Sequence, residues 1–386
     1  MRLAPEERAL RKDRPPRRNP HNTLRLLPHQ RMTLPPGQHA GAFREAFTKH
    51  PSLGYSFGNH PDMSPLHQAE LETLLRKHHE VFAYKAADLT GFQGDASSQF
   101  SVMLTTGESI FTKPRRKSPM EREIIDKKCQ ELADLGFIVP APLPAKYASE
   151  TTCPGKKNAE GEWTERRFCG DYRAINAFTV PDRGVIPLPE DLFEQACKCK
   201  YFSKLDFKSG FAQIFVSPPD RPKTAIWWGD DLWMYTRMPF GMRNAPVHFQ
   251  RVATNMLISG GAHGFARVYI DDVIIFSQTP EEHLRHIDHV LRIIYESGLR
   301  VHPEKSVFFA AGMEYLGFFL SAHGLSPVEA KILAFRNLRP PRNRDEVKTA
   351  LGLFGYYRSF CPDFSVMAQP ISKLLRLRGG TNLPST

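Results

Sequence analysis

The chain has 386 residues, of which 41% are hydrophobic and 27 are Phe, so it can form two or three compact globular units. Its formal net charge of +11 suits a polyanionic partner such as nucleic acid, although an ordinary soluble protein can also be basic. No apolar run reaches the length of a membrane span, and the first residues lack the apolar core of a signal peptide. We therefore exclude integral membrane and secreted proteins and expect a soluble, intracellular protein.

The six cysteines do not form a zinc-binding pattern. Cys197 and Cys199 are two residues apart, but no second Cys pair and no His pair lies near them in the sequence. Scattered cysteines of this kind are typical of reduced thiols in an intracellular protein.

The N-terminal region, residues 1–60, is basic, rich in Pro and without lasting apolar periodicity. This composition predicts a disordered arm, whose basic run either contacts nucleic acid or is simply solvated. Residues 61–98 are predicted to form a short helical lead-in. Leu71, Leu74 and Leu75 lie at helical spacing within a helix expected over residues 65–84, and residues 91–98 predict a loop.

Three later segments carry the signals of a helix start. Residues 118–121 (Ser-Pro-Met-Glu) have the pattern of a capping box with Pro at the first helical position, and residues 279–282 (Thr-Pro-Glu-Glu) repeat it. A third helix is predicted to begin near Asn343. Apolar residues at helical spacing follow each start, and Gly136 and Gly298 are expected to end the first two helices.

Short runs of β-branched and aromatic residues lie between these helices. Strands and helices mix without a regular β-α-β alternation and without an internal repeat. The sequence therefore predicts the α+β class with an antiparallel sheet. The predicted strands are 201–207, 225–228, 232–237, the two halves of 267–276, and 315–321.

Residues 267–276 contain two apolar runs that flank Asp271 and Asp272. Two such runs around a polar dipeptide predict a tight hairpin. Because adjacent strand residues point to opposite faces, we expect Asp271 to bind a metal directly, with Asp272 close behind it. Asp is also common in ordinary turns, so the pair alone does not establish a metal site.

A second carboxylate stands upstream, since residues 201–206 read as an apolar strand that ends in Asp206. If this strand lies beside the hairpin, three carboxylates meet, and they repel one another unless a cation neutralises them. Hard oxygen ligands select magnesium or manganese, and two such ions suit nucleotidyl transfer. The alternative is that Asp206 only caps the segment that follows it.

Three sequence blocks follow one another along the chain: 201–210 (YFSKLDFKSG), 238–246 (MPFGMRNAP) and 269–272 (YIDD). Further blocks are 167–176, 302–305, 314–317 and 351–358. Together they closely resemble the reverse transcriptase of gypsy-type LTR retrotransposons. The resemblance covers about residues 81–375, and so many ordered blocks are far more specific than an Asp pair.

The resemblance implies a right-hand polymerase fold, with fingers and a palm over residues 99–320 and thumb or connection helices over 321–376. It implies RNA-directed and DNA-directed DNA synthesis from dNTPs on a primed RNA or DNA template, with Mg²⁺ (Mn²⁺ possible) as cofactor. It also implies a location in a cytoplasmic particle or the nucleus, and no membrane partner. Residues 377–386 are expected to be a disordered tail. Ribonuclease H and integrase activities are expected from separate or missing segments.

The resemblance also assigns site residues. It implies that Asp206, Asp271 and Asp272 are catalytic, and that Asp206, Phe207 and Asp271 form the metal site. It implies that Arg167 contacts the triphosphate of the incoming nucleotide, to which a guanidinium fork is suited. Lys156 or Lys157 is the second candidate for that contact, in a segment that departs from the family pattern. The nucleotide pocket is completed by Phe207, Gly210, Phe211, Phe240, Gly241 and Lys305.

Individual roles follow from the same resemblance. Phe211 is expected to lie under the sugar and exclude a 2′-hydroxyl, and Lys305 to supply a proton or charge to the pyrophosphate. Residues 314–317 resemble the hairpin that seats the primer terminus. Gln213 and Arg243 are further candidates for the groove around the nucleotide. The candidates for phosphate contacts along a duplex are Lys113, Arg115, Arg116, Lys117, Arg339, Arg342 and Arg344.

Two other functions remain open on the sequence. One is a degenerate retroelement relic that binds nucleic acid without catalysis. The other is a metal-dependent phosphohydrolase that uses the same carboxylates. The retained aspartates and the ordered blocks favour the polymerase.

Overall fold

The computed structural model describes residues 47–49, 54–58, 60–155 and 168–375. All of them lie in the unit His39–Thr386, and the unit Met1–Gln38 lies outside the described residues. Arg167, Lys156 and Lys157 also lie outside them, as do the N-terminal arm before residue 47 and the predicted tail.

Sixteen strands are described, most of them only two to four residues long. They are β1 Phe47–Lys49, β2 Ser56–Gly58, β3 Ile110–Phe111, β4 Ile138–Pro140, β5 Tyr147–Ala148, β6 Glu150–Thr152, β7 Cys169–Asp171, β8 Tyr201–Asp206, β9 Ile226–Trp228, β10 Asp231–Tyr235, β11 Ala266–Tyr269, β12 Asp272–Ser277, β13 Val307–Ala310, β14 Gly312–Tyr315, β15 Phe318–Ser321 and β16 Gly324–Pro327.

Nine α-helices are described between these strands. They are α1 Pro65–Lys77, α2 Pro119–Asp134, α3 Arg173–Phe178, α4 Pro189–Ala196, α5 Ala245–Ser259, α6 Pro280–Glu296, α7 Glu329–Arg336, α8 Arg344–Tyr356 and α9 Phe364–Leu374. Short 3₁₀ turns include Gly210–Gln213, directly after β8, and Pro303–Lys305, directly before β13. None of the helices in the described part of the chain is both long and apolar enough to span a membrane.

The central sheet has six strands in the order β1-β2-β13-β8-β12-β11. Its middle is antiparallel, because β8 pairs with β12 on one side and with β13 on the other, and β12 pairs with β11. Strand β2 pairs in parallel with β13 and antiparallel with β1, which forms the edge. The predicted antiparallel sheet is therefore confirmed for the strands that carry the aspartates, although the whole sheet is mixed.

The N-terminal edge of this sheet corrects one prediction. The disordered arm was expected to extend to residue 60, but residues 56–58 form β2, and Tyr55 and Phe57 are buried in the main core. Leu71 and Leu75 of the predicted lead-in pack into the same core. The prediction failed because a three-residue strand is too short to show periodicity, and the partner of β2 lies about 250 residues later in the chain.

The capping signals predicted the helix starts correctly. Ser118 and Glu121 form the expected capping box at α2, Thr279 accepts a hydrogen bond from the Glu282 N–H at α6, and Asn343 caps α8. Helix α1 ends at Lys77 rather than continuing to residue 84. The run 315–321 was predicted as one strand, but it divides into β14 and β15, because the chain turns at Leu316 and Gly317.

Two groups of buried side chains hold these layers together. The main core lies between the central sheet and the helices α1, α2, α5 and α6. The second core lies between the sheet and the hairpin β14–β15. Its largest members are Phe193, Phe202, Phe276, Tyr315 and Phe318.

Candidate active site

The central sheet brings together the two segments that carry the predicted carboxylates. The antiparallel register of β8 and β12 places Asp206 directly opposite Asp272. Ile270 and Asp271 form the turn between β11 and β12, and the Phe207 N–H donates to the Asp271 carbonyl at 2.8 Å. The predicted hairpin and its position beside the strand that ends in Asp206 are therefore confirmed.

Asp271 has a carboxyl oxygen that the described residues leave without a partner. Its Oδ1 atom is buried and has no hydrogen-bond partner within the described part of the chain. Burial and, after it, the charges of Asp206 and Asp272 raise the pKa of its carboxyl to about 6, against the opposing charge of Lys305. A buried carboxylate in this state is strongly attractive to a cation.

Gly210 makes room for Asp271. A Cβ atom on Gly210 would collide with Asp271 Oδ1 and would lie 2.9 Å from Cζ of Phe249. Phe249 is fully buried and has no space to move away. Any larger residue at position 210 would therefore push against the carboxylate, because a packed interior does not absorb an added carbon.

The other two carboxylates each face a lysine. Lys305 Nζ lies 3.1 Å from Asp206 Oδ1, and Lys204 Nζ lies 3.0 Å from Asp272 Oδ1. Burial raises the pKa of Asp272, an effect that Lys204 opposes. Among the described residues, no three His, Cys, Asp or Glu side chains form a group ready to hold a metal ion. The aspartates lie close together, but two of them point toward lysines.

The donor set still fits a divalent cation. Carboxylate oxygens are the ligands that magnesium prefers. The unpartnered Oδ1 of Asp271 is one such oxygen, and the absence of a side chain at Gly210 lets it lie where it does. Asp206 could supply another oxygen if Lys305 moved away. Phe207 could contribute only its backbone carbonyl, because its side chain has no ligand atom.

Aromatic rings and a glycine turn lie beside the carboxylates. Phe211 is 8% exposed, and its ring centroid lies 5.0 Å from that of Phe240 and 5.8 Å from that of Phe249. Phe240 is half exposed. Gly241 has a φ of +94°, which favours glycine, and its carbonyl accepts a hydrogen bond from the Asn176 side chain at 2.8 Å.

Two predicted contact residues have structural roles instead. Gln213 is fully buried and donates to the carbonyls of Lys208 and Arg300, so the prediction that it lines the groove is wrong. Lys117 was a candidate for phosphate contact, but its Nζ lies 3.1 Å from a carboxylate oxygen of the buried Glu150. In contrast, Arg243 is exposed beside Gly241.

Sequence reasoning missed Lys204 and Tyr315. Lys204 stands two residues before Asp206, and strand alternation places both side chains on the same face of β8, so its position could have been inferred. The Tyr315 hydroxyl donates to the Asp272 carbonyl at 3.0 Å. That contact joins residues 43 apart in sequence, and no local signal indicated it.

Comparison with known proteins identifies relatives by sequence. Residues 156–320 match the family model described as reverse transcriptase (RNA-dependent DNA polymerase). The chain is 35% identical to the retrovirus-related Pol polyprotein from transposon gypsy of Drosophila melanogaster, over 67% of this chain and 25% of that protein. It is 30% identical to the enzymatic polyprotein of cauliflower mosaic virus (strain NY8153), over 70% of this chain and 39% of that protein. The chain therefore spans well under half the length of these curated relatives.

Solved structures of reverse transcriptases are similar to this chain in fold. The foamy viral protease-reverse transcriptase dRH in complex with double-stranded DNA is similar with a TM-score of 0.74 and 21% identity, over 92% of this chain and 59% of that chain. The same viral protein in complex with an RNA/DNA hybrid is similar with a TM-score of 0.70 and 22% identity, over 85% of this chain and 43% of that chain. The fold predicted from the sequence is confirmed.

Proposed function

The chain contains a reverse transcriptase domain related to those of gypsy-type retrotransposons, and from this premise we propose that it is an RNA-directed and DNA-directed DNA polymerase. It extends a primer 3′-hydroxyl with deoxynucleotides on an RNA or DNA template. The observation that carries this proposal is the state of Asp271, whose buried Oδ1 atom has no partner among the described residues and whose pKa is raised by burial and by the charges of Asp206 and Asp272. Nucleotidyl transfer requires little more of a protein than positioning and charge neutralisation at such a site.

In this proposal, Asp206, Asp271 and the Phe207 carbonyl hold the metal site. Two magnesium ions bound there would activate the primer hydroxyl and stabilise the departing pyrophosphate. Gly210 leaves room for the Asp271 carboxylate, because it has no side chain to collide with it. Lys305, whose side chain is 59% exposed, is free to turn from Asp206 toward the pyrophosphate.

The nucleotide pocket would lie against the rings of Phe211 and Phe240. The ring of Phe211, packed between Phe240 and Phe249, would exclude a sugar with a 2′-hydroxyl by its shape. Gly241 lets the backbone approach the nucleotide closely. Arg167 is the proposed triphosphate contact, and Lys156 or Lys157 is the second candidate for that contact.

We assign residues 99–320 to fingers and palm and residues 321–376 to the thumb. A primed duplex would lie against exposed basic side chains, which suit contacts to phosphates rather than to bases. The relatives solved with double-stranded DNA and with an RNA/DNA hybrid support this choice of partner. The exposed candidates are Lys113, Arg115, Arg116, Arg339, Arg342 and Arg344.

Primer extension on homopolymeric RNA with magnesium tests the proposal. The parent chain should extend the primer, and Asp271→Asn should abolish extension while leaving primer–template binding intact. Asp134→Asn is the matched control, because Asp134 is an exposed carboxylate at the end of α2 that contacts only Gln130 among the bonds described for it.

The other outcomes identify the competing functions. Tight nucleic-acid binding without extension by the parent would identify a catalytically inactive relic. Phosphate release without a template, lost in Asp271→Asn, would identify a phosphohydrolase. Extension that survives in Asp271→Asn would contradict the assigned site.

A further inference from the structure

Asp272 is fixed at two separate points. Its carboxylate Oδ1 lies 3.0 Å from Lys204 Nζ, and its backbone carbonyl accepts a hydrogen bond from the Tyr315 hydroxyl at 3.0 Å. The strand that begins with it is paired on both sides, with β8 and with β11. Its main chain is therefore held by the sheet, and its carboxylate is engaged by Lys204.

Lys204 is itself held in place. It lies within β8, opposite Ile274 of β12 and Val307 of β13, and its side chain is only 24% exposed. Its ammonium lies 5.7 Å from the ring centroid of Tyr315, a residue with no exposed surface. Tyr315 therefore touches both the aspartate and the lysine that pairs with it, and the three form one packed unit.

The lysine at the neighbouring carboxylate is held less firmly. Lys305 reaches Asp206 from a 3₁₀ turn, and its side chain is 59% exposed. An exposed ion pair contributes little stability and exchanges readily with solvent. The two lysines therefore differ, since Lys305 can leave Asp206 when another cation arrives and Lys204 cannot leave Asp272.

We propose that Lys204 is a positioning residue that keeps the carboxylate of Asp272 neutralised and fixed against its own ammonium, so that Asp271 and Asp206 are the carboxylates that bind the metal. The inference rests on the proposed polymerase function only for the identity of the metal site. Lys204 would be the reason why Asp271 and Asp272, although adjacent in sequence, differ in their charge compensation and in metal binding. Without that lysine, Asp272 would add a second uncompensated charge beside Asp271.

Titration of the nucleotide-free full-length chain with Mn²⁺, followed by electron paramagnetic resonance, tests the inference. Removing the positive charge leaves a carboxylate unpaired near the ion, so Lys204→Met should bind Mn²⁺ about tenfold more tightly than the parent. Lys204→Gln should act in the same direction, and Lys204→Arg should restore the parent affinity. Lys128→Met is the matched control, because Lys128 pairs with Glu131 on an exposed face of α2.

The gain in affinity must depend on Asp272. In the Asp272→Asn background, Lys204→Met should change the Mn²⁺ affinity by no more than about twofold, because the two changes act on one pair. A purely structural lysine would lower the melting temperature of Lys204→Met and Lys204→Gln without raising the affinity of the folded protein. Unchanged or weaker Mn²⁺ binding by both neutral variants would overturn the inference.

Primer extension by the same preparations separates this inference from the proposed function. Tighter Mn²⁺ binding by Lys204→Met in a chain whose parent cannot extend primers would support the inference and reject the polymerase. An active parent combined with unchanged Mn²⁺ affinity would reject the inference alone. In an active parent, Lys204→Met should also lower kcat, and Lys204→Arg should restore most of it.

Discussion

Two hairpins of this molecule have similar backbones, but one of them leaves a buried side-chain oxygen without a partner among the described residues. The hairpin β11–β12 turns at Ile270, with a φ of +52°, and β14–β15 turns at Leu316, with a φ of +51°. In the second turn, the carbonyls of Leu316 and Gly317 accept hydrogen bonds from the hydroxyls of Tyr356 and Tyr357 at 2.6 and 2.8 Å. In the first turn, a buried oxygen of Asp271 accepts no hydrogen bond from any described residue.

The two turns differ in whether their polar atoms have hydrogen-bond partners, and an atom without one is a candidate for ligand binding. Native proteins pair nearly all buried polar atoms, and strained or unpaired groups are concentrated at functional sites. The turn of β14–β15 is completed by the side chains of α8 and the residue that follows it. The turn of β11–β12 leaves Oδ1 of Asp271 without a partner among the described residues. Variants in the two regions should therefore respond differently.

The largest effect is expected at Gly210. Gly210→Ala would drive a Cβ atom into Asp271 Oδ1 and against Phe249, which displaces the carboxylate. Displacement by about 1 Å costs about a hundredfold in rate, so primer extension should fall by at least that factor. Steady-state extension rates with saturating primer–template provide the measurement.

Gly352→Ala is the matched control in the second region. Gly352 lies within helix α8, and a Cβ atom there would meet nothing within 4 Å. Because Ala favours a helix over Gly by about 0.5–1 kcal/mol, this variant should be as stable as the parent or slightly more stable. If Gly210→Ala retains more than half of the parent rate, the space beside Asp271 is not required for activity.

The next effect is expected at Phe211. Phe211→Val removes the ring that is packed between Phe240 and Phe249, so a sugar with a 2′-hydroxyl should fit. Pocket changes of this size shift discrimination by about ten- to a hundredfold. The ratio of kcat/KM for deoxynucleotides and ribonucleotides should fall by that amount, whereas Phe354→Val on α8 should leave it unchanged. Equal discrimination by Phe211→Val and the parent would dismiss this role.

The sequence predicted the first hairpin better than its surroundings. The Asp pair between two apolar runs indicated the turn, and the strand ending in Asp206 indicated its neighbour, because these signals are local. The contact that fixes Asp272 comes from Tyr315, which is 43 residues away. Lys117 and Glu150 likewise form an ion pair although they are 33 residues apart, and the sequence around one does not indicate the other. Pairings of this kind are set by tertiary packing, which no local pattern contains.

The same reason explains the errors in the fold. The starting residues of helices α2, α6 and α8 were predicted correctly, because a helix cap is a pattern of only about four consecutive residues. Strand β2 was missed because its partner is β13. The run 315–321 was read as one strand because most of its residues are apolar, although Gly317 interrupts it. The positive φ values of Leu316 and Gly317 and the antiparallel pairing of β14 with β15 show that the chain reverses there.

A smaller effect, which is a gain in the free energy of unfolding rather than a loss of activity, is expected when the charge of Asp271 is removed. In a chelator at about pH 8, Asp271→Asn should be more stable to urea than the parent by about 2 kcal/mol. The pKa of Asp271 is raised to about 6 in the folded chain, so the folded chain holds its proton more tightly than the unfolded chain does. The penalty for ionising it is absent at low pH, appears as the pH rises through the range 4 to 6, and is complete above that range.

The difference in stability between Asp271→Asn and the parent should therefore shrink as the pH falls to about 4. Taking the difference cancels the contributions of the buried histidines, which titrate in both proteins. Asp134→Asn, at an exposed position, should show no such pH dependence. A stability difference that is constant from about pH 4 to about pH 8 would show that Asp271 is not strained.

The smallest effect is expected in the second hairpin and has the opposite sign. Tyr357→Phe removes the hydroxyl that donates to the Gly317 carbonyl at 2.8 Å, while the ring still packs on Phe318. Losing one such bond should cost about 1 kcal/mol in urea unfolding. Tyr201→Phe is the control, because its hydroxyl lies 3.5 Å from Asp62, and it should cost less. Removing a polar group would then stabilise the fold in the hairpin β11–β12, where the Asp271 oxygen has no described partner, and destabilise it in the hairpin β14–β15, where the Tyr357 hydroxyl donates to a carbonyl. Equal signs for Asp271→Asn and Tyr357→Phe would mean that the two turns do not differ in this way.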